Sequence, residues 1–173
     1  VLDQVRNQPG IVNAGMVNHI PLAGDEWGTS YDIPGQPRPD GDSHRAVYRV
    51  AVPGYFESAG IELLRGRFIT DSDRENSQRV VIINDRVAAR HFAGRNAVGE
   101  TLLAHEDVTG AAIAWTIVGV VRAPVQDDWA GERETELYFP FAQDEMFSKG
   151  TGPASTMMNV SPRRHRTLLV TVT

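Results

Sequence analysis

Residues 44–60 read His44-Arg-Ala-Val-Tyr-Arg-Val-Ala-Val52 and then Pro53-Gly-Tyr-Phe-Glu-Ser-Ala-Gly60. Over residues 44–52 the side chains fall into two alternating sets, which predicts a strand with two different faces. Proline is favoured at the start of a helix and glycine just past its end, so the following residues predict a short helix from Pro53 to Ala59. A strand that leads directly into a helix indicates a mixed fold.

More strands and one more helix are predicted further along the chain. Val80–Ile83 is apolar and β-branched throughout, which is typical of a strand buried on both faces. Asn84 is a good N-cap for a helix over Asp85–Phe92. Trp115–Val121 predicts another strong strand. Because strands and helices do not alternate strictly, the order favours the α+β class.

The chain ends and two long segments carry different signals. Ile11–Ile20 and Leu168–Thr173 predict strands, the first preceded by a helix end. Residues 21–43 are rich in proline and glycine and predict a long irregular excursion. Residues 143–162 give weak signals for regular structure. Since the chain begins with Val1 rather than Met, we expect a fragment of a longer protein.

The composition excludes several classes of function. The chain has 173 residues, of which 41% are hydrophobic and 23% are charged, so it can build a globular core. A net charge of -5 argues against a nucleic-acid-binding protein. The absence of cysteine excludes disulfides and thiolate metal sites. No apolar run approaches the roughly 20 residues that span a bilayer.

Motifs for nucleotide and metal binding are incomplete. Gly94–Thr101 has the glycine spacing of a phosphate loop, but Glu100 occupies the position where a lysine must reach the phosphates. Asp71–Glu75 resembles the start of a calcium loop that lacks the later glycine and glutamate. The five histidines show no metal-ligand spacing. We therefore predict no catalytic, cofactor-binding or metal-binding residue.

Acidic residues form two groups that leave an alternative open. Glu132, Glu134 and Glu136 alternate and so share one face of a strand. This pattern favours an exposed strand edge protected by charge over a carboxylate pair for acid–base chemistry. An enzyme or small-molecule binder would need these residues and Asp71–Glu75 to converge in a deep pocket.

Three aromatic residues lie outside periodic segments. Trp27 and Tyr31 fall in the proline- and glycine-rich excursion, and Trp129 falls in a polar loop. Tryptophan and tyrosine are common anchors at protein interfaces. The alternative is that each ring folds back over a small core. These three residues are the predicted partner contacts.

Several short segments, taken in their order along the chain, resemble one family. They are Val52–Ile61, Leu63–Phe68 with Asp71–Asp73, Val80–Asn84 with Ala88, Ala89, Arg90 and Phe92, Val98-Gly99, Ile117–Val121 and Glu136–Pro140, preceded by Pro9–Val12 and Pro21-Leu22. The ordered set is similar to the MacB-like periplasmic core domain of FtsX-like ABC transporter permeases. The resemblance covers the chain from Val1 to Thr173.

The resemblance implies an extracytoplasmic domain of two small mixed α/β lobes, on the outer face of a bacterial cell membrane. The discontinuous porter-like lobe is expected at residues 1–73 and 136–173, and the inserted lobe at residues 74–135. The implied role is non-catalytic: the domain relays ATP-driven motion to a substrate or partner protein. The implied partners are a permease homodimer or duplicated permease half, a cytoplasmic ABC ATPase and a periplasmic adaptor protein. No cofactor or nucleic acid is implied.

A receptor-like domain remains open beside this interpretation. Such a domain would sense an extracellular peptide or lipid through the loops that carry Trp27 and Trp129. An enzyme remains the third class, and it depends on the convergence of carboxylates described above.

Overall fold

The structure, a computed structural model, describes residues 2–18, 27–36, 38, 44–105, 111–123 and 134–144, together with the backbone of 157–162 and 168–171. These residues contain helices and strands in a mixed order. In chain order the elements are α1 (Leu2–Arg6), β1 (Ile11–Val17), β2 (Gly28–Asp32), β3 (His44–Ala51), α2 (Tyr55–Ala59), β4 (Leu63–Gly66), β5 (Val80–Asn84), α3 (Asp85–His91), β6 (Thr101–His105), β7 (Ala112–Val121), β8 (Glu136–Pro140), β9 (Met157–Pro162) and β10 (Leu168–Thr171).

Six strands close into a mixed barrel. The order is β3-β2-β6-β7-β5-β8, and β8 pairs back onto β3. The β3–β8 and β5–β7 pairs are parallel, and the other neighbours in the ring are antiparallel. Because the ring is closed, each of its strands has a hydrogen-bonded neighbouring strand on both sides, and no strand edge is left open. The expected mixed α and β composition is confirmed, with the barrel as its centre.

Alternation along the strands defines the inside of this barrel. All six strands contribute to one buried cluster, which includes Tyr31, Leu102, Trp115, Leu137 and Phe139. Because neighbouring side chains on a strand point to opposite faces, this shared cluster is the barrel interior.

The outward face of β5 and β8 carries a second core. Ile82 and Tyr138 alternate with interior residues and pack with Tyr55 and Phe56 of α2. The Phe56 and Tyr138 rings meet edge-on, with centroids 5.1 Å apart. Helix α2 therefore covers one side of the barrel wall.

The remaining strands extend the sheet from β3. β1 pairs with β9 and β9 pairs with β10, all antiparallel. β1 meets β3 at a single register pair, Val17 with Ala51. We call β1, β9 and β10 the outer strands. β4 pairs with β7 outside the ring.

The structure agrees with most of the helices and strands predicted from the sequence and corrects the prediction in two places. The strand at 44–51, the helix that ends at left-handed Gly60, the buried strand at 80–84 and the Asn84 cap are confirmed. The excursion predicted at 21–43 is wrong over Gly28–Asp32, which forms β2 between β3 and β6. The weak signals at 143–162 missed β9. Both strands are held by partners distant in sequence, which overrides local propensity.

Strand pairing crosses the predicted lobe boundaries. The barrel takes β2, β3 and β8 from the segments assigned to the porter-like lobe, and β5, β6 and β7 from residues 74–135. The six strands share one interior cluster. The division into two lobes at residues 73 and 136 is therefore not visible in the pairing, and it stays a prediction.

Candidate functional site

The junction between the outer strands and the barrel depends on Asn18. This side chain is 2% exposed. Its Oδ1 accepts from the Val50 N–H at 2.9 Å, and its Nδ2 donates to the Tyr48 carbonyl oxygen at 3.3 Å. The Asn18 N–H also donates to the Val50 carbonyl oxygen at 3.0 Å. One asparagine therefore continues the β1–β3 ladder just past the last strand residue.

Helix α2 packs directly on β1 because Gly15 has no side chain. A Cβ at Gly15 would lie well inside van der Waals contact of the Tyr55 backbone. Arg6 adds a second tie, since its Nε donates to the Ala14 carbonyl oxygen at 3.1 Å and its Nη2 donates to the Pro53 carbonyl oxygen. These contacts fix α1 and α2 against the outer strands.

A buried ion pair lies where the barrel meets α2. Arg49 of β3 and Glu136 of β8 are 0% and 1% exposed. Arg49 donates to Glu136 Oε1 from Nε at 3.3 Å and from Nη2 at 3.1 Å. The Tyr138 hydroxyl donates to Glu136 Oε2 at 2.6 Å. Both residues alternate with interior side chains, so the pair lies on the outward face of the wall.

Electrostatics around this pair keep the neighbouring phenols neutral. Burial raises the pKa of Tyr138 well above its usual value, and the Glu136 carboxylate raises it further. The pKa of Tyr55 is raised mainly by burial and then by Glu136. Two neutral tyrosines beside a satisfied ion pair form a structural network rather than a proton-transfer site.

The structure corrects the interpretation of the acidic residues at 132–136. Glu136 does not lie on an exposed strand edge but in the buried pair with Arg49. Glu134 is exposed, and Glu132 lies outside the described residues.

The other acidic segment makes its own local structure. The Asp73 carboxylate takes two hydrogen bonds from Arg67, at 2.7 and 2.8 Å, and one from the Thr70 N–H at 2.8 Å. Burial alone would raise the pKa of Asp73, but these partners outweigh it and lower the pKa. Asp71 and Glu75 are exposed. Within the described residues, the two acidic segments have separate arginine partners and do not converge in one pocket.

The predicted contact aromatics fall in three different places. Trp27 is half-buried just before β2, where its carbonyl oxygen accepts from the Tyr48 N–H at 2.6 Å. The expectation that Tyr31 lies in an exposed loop is wrong, because Tyr31 lies on β2 and is fully buried in the barrel interior. Trp129 lies outside the described residues.

Metal-binding groups are not assembled in the stretches of chain that the structure describes. No set of three or more histidine or acidic side chains there is placed to hold a metal ion. His91 is buried on α3.

Sequence reasoning missed the role of Asn18 in the junction and the buried pair of Arg49 and Glu136. Arg49 gives a usable signal, because an arginine inside an apolar strand is rarely buried unless it is paired. Its partner Glu136 is 87 residues further along the chain, beyond any local pattern. Asn18 gives no signal, since an asparagine at a strand end is ordinary.

The fold defines a class of protein: a mixed α/β domain in which a closed barrel is extended by a smaller layer of strands. The buried ion pair of this domain stabilises the fold. The family model that matches is the MacB-like periplasmic core domain, over residues 6–173. The chain belongs to this family and is the periplasmic or extracellular domain of a MacB-like ABC transporter permease. The resemblance seen in the sequence is thereby confirmed.

Individual relatives agree with this assignment. The chain is 26% identical over 88 residues to the macrolide export ATP-binding/permease protein MacB of Aggregatibacter actinomycetemcomitans, a match that covers 51% of the chain and 13% of that protein. The periplasmic region of MacB from Actinobacillus actinomycetemcomitans matches 95% of the chain and 64% of its own length, with 18% identity and a TM-score of 0.61.

A second solved structure extends the likeness to other bacteria. The extracellular domain of the noncanonic ABC-type transporter YknZ from Gram-positive bacteria matches 95% of the chain and 72% of its own length, with 17% identity and a TM-score of 0.59. At this identity the solved structures establish the fold alone. Among the described residues of this chain, no helix is long and apolar enough to cross a membrane.

Proposed function

We propose that this domain relays ATP-driven conformational change from a membrane permease to a substrate or partner protein outside the membrane, without catalysing a reaction itself. The proposed partners are a second permease subunit or duplicated half, a cytoplasmic ABC ATPase acting through the membrane-embedded region, and a periplasmic adaptor protein.

One observation carries this proposal: a closed barrel is joined to a smaller layer of outer strands by a short strand pairing and by helix α2, which packs against both. The pairing of β1 with β3 consists of Val17 with Ala51, extended by the bonds of Asn18 and by the bond from the Val52 N–H to the Met16 carbonyl oxygen at 3.0 Å. A closed ring resists deformation, so motion between the barrel and the outer strands is expected at this pairing and at the packing of α2. This arrangement suits a lever whose two ends move as units.

The relay is tested by distance measurements in the full-length permease assembled with its ATPase. Val12 on β1 is 56% exposed, and Glu100 beside β6 is exposed, so both accept a spin label on a substituted cysteine. We expect the Val12–Glu100 distance distribution to shift between the nucleotide-free and ATP-bound states. The control pair, Arg86 and Glu100, lies entirely on the barrel side and should not shift.

The junction itself is tested by Asn18→Ala, with Asn13→Ala on the same strand as the matched control. Removing the Asn18 side chain breaks its bonds to Val50 and Tyr48, so the nucleotide-dependent shift should broaden or shrink. Asn13→Ala should keep the shift. Identical distance distributions in both nucleotide states of the unmodified permease contradict the relay.

We also propose that Trp27 and Trp129 contact a partner outside the membrane. Trp27 is only half-buried, and large aromatic rings are favoured as interface anchors. A photo-crosslinking amino acid at position 27 of the full-length permease should capture a second permease subunit or an adaptor protein, identified by mass spectrometry. The same amino acid at Val12 is the control. Crosslinks to neither partner from position 27 count against the contact.

A further inference from the structure

A second polar cluster ties α3 to the turn that follows β2. The His91 ring is 7% exposed and lies between two partners. Its Nε2 is 3.0 Å from the Tyr31 hydroxyl, and its Nδ1 is 2.8 Å from Gln36 Oε1. Gln36 Nε2 donates to the His91 carbonyl oxygen at 2.8 Å. Gln36 therefore holds both the ring and the backbone of one helical residue.

These bonds define the protonation state of the ring. The bond from Gln36 Nε2 to a carbonyl fixes the orientation of the amide, so Gln36 Oε1 faces Nδ1 and must accept a proton from it. Nε2 is then the bare nitrogen, which accepts from the Tyr31 hydroxyl. Burial raises the pKa of Tyr31, so its hydroxyl keeps the proton that it donates. Every partner is satisfied only when His91 is neutral with its proton on Nδ1.

Protonation of His91 breaks this arrangement. A second N–H, on Nε2, would point at the Tyr31 oxygen, whose own proton would then lose its acceptor inside the barrel. A buried hydroxyl without a partner is costly. Keeping the contact with a charged ring therefore requires the Tyr31 hydroxyl proton to turn away from His91.

The charged groups around the ring also affect the protonation of His91. His44 at the start of β3 contacts the His91 ring edge-on, with centroids 4.4 Å apart. Arg90 adds a fixed positive charge from the same helix. Asp32 is the carboxylate at this end of β2; it takes hydrogen bonds from Arg38 at 2.7 Å and His105 at 2.8 Å. Arg90, and His44 once it is protonated, thus oppose a positive charge on His91.

We propose that Tyr31, Gln36 and His91 form an acid-sensitive latch that holds the turn after β2 against α3 and opens when His91 takes up a proton. The latch fixes the point where the connection from β2 to β3 begins. Because the family's domain lies outside the cytoplasm, the proton concentration that the latch meets is that of the surroundings.

The direction and size of the response follow from linkage. Burial, then His44 and Arg90, lower the pKa of His91 to about 4 in the closed state, against about 6.5 for an exposed histidine. The closed state is therefore fully favoured above pH 6.5 and loses its advantage as the pH falls towards 4. With these two values, the opening constant should rise about 30-fold from pH 8 to pH 5.

Hydrogen exchange of the 173-residue chain measures this opening. The Gln36 amide, bonded to the Ile33 carbonyl, and the Phe92 amide, bonded to the Ala88 carbonyl, report on the two sides of the latch. After correction for the intrinsic pH dependence of exchange, both should lose protection by about 30-fold from pH 8 to pH 5. The barrel amide of Ile117 should keep its protection.

Two variants and a direct titration distinguish opening of the latch from general unfolding in acid. His91→Gln cannot take up a proton, so most of the change in protection at Gln36 should vanish. His105→Gln, at the same end of the barrel, should keep it. NMR titration of the unmodified chain should place the His91 pKa below about 5 with the proton on Nδ1. A His91 pKa above about 6, or equal Gln36 protection at pH 5 and pH 8, overturns the latch.

Discussion

Glu136→Ala should lower the free energy of unfolding by about 3–5 kcal/mol, because it leaves the Arg49 guanidinium buried without its counter-charge. Arg49 is 0% exposed, so water cannot replace the lost carboxylate. The Tyr138 hydroxyl also loses the oxygen to which it donates. Urea unfolding monitored by tryptophan fluorescence measures the change as a lower transition midpoint.

Two comparison variants separate the buried charge from the loss of packing. Arg49→Met, Glu136→Leu and Tyr138→Phe combined replace the whole network by apolar groups of similar size, and should recover most of the loss. Glu62→Ala removes an exposed partner of Arg122, where water screens the charges, and should leave the midpoint unchanged. A Glu136→Ala midpoint equal to that of Glu62→Ala contradicts the burial of the pair.

Gly15→Ala should cost about 3 kcal/mol, because the new methyl group meets backbone atoms of Tyr55 that cannot rotate away. To admit it, α2 must move off β1 and open the cluster around Phe56 and Tyr138. We expect a lower thermal midpoint and a weaker near-ultraviolet circular dichroism signal from the tyrosines.

Gly28→Ala is the matched control for this change. A methyl group at Gly28 comes closest to the end of the flexible Arg45 side chain, 3.1 Å away, and lies at an ordinary 3.8 Å from the Ala46 carbonyl oxygen. Gly28 lies in a strand, as Gly15 does. Its midpoint should stay close to that of the unmodified chain. Equal losses for the two variants would indicate that the cost is one of strand propensity rather than of the contact between α2 and β1.

Elements with a strong local pattern were predictable from the sequence. The alternation at 44–51, the β-branched run at 80–83 and the Asn84 cap each reflect interactions within a few residues. β2 was not predictable, because its short run between prolines and glycines is a strand only through pairing with β3 and β6.

The candidate site was less visible than the fold, for a physical reason. Glu136 sits in an alternating acidic pattern that is typical of a solvated edge, and only the approach of Arg49 from a distant strand makes its burial favourable. For Tyr31 too, the local sequence predicted exposure, because the ring lies among prolines and glycines. Its burial follows from barrel closure, which no local pattern contains.

Closure of the ring also governs how the chain must be made. The parallel pairing of β3 with β8 joins residues such as Arg49 and Glu136, which are 87 positions apart. When the chain is exported across the membrane, β3 and β5 therefore have unsatisfied edges until β8 has followed, and such edges recruit other chains. Premature termination anywhere before Glu136 should yield an insoluble product rather than a smaller working domain.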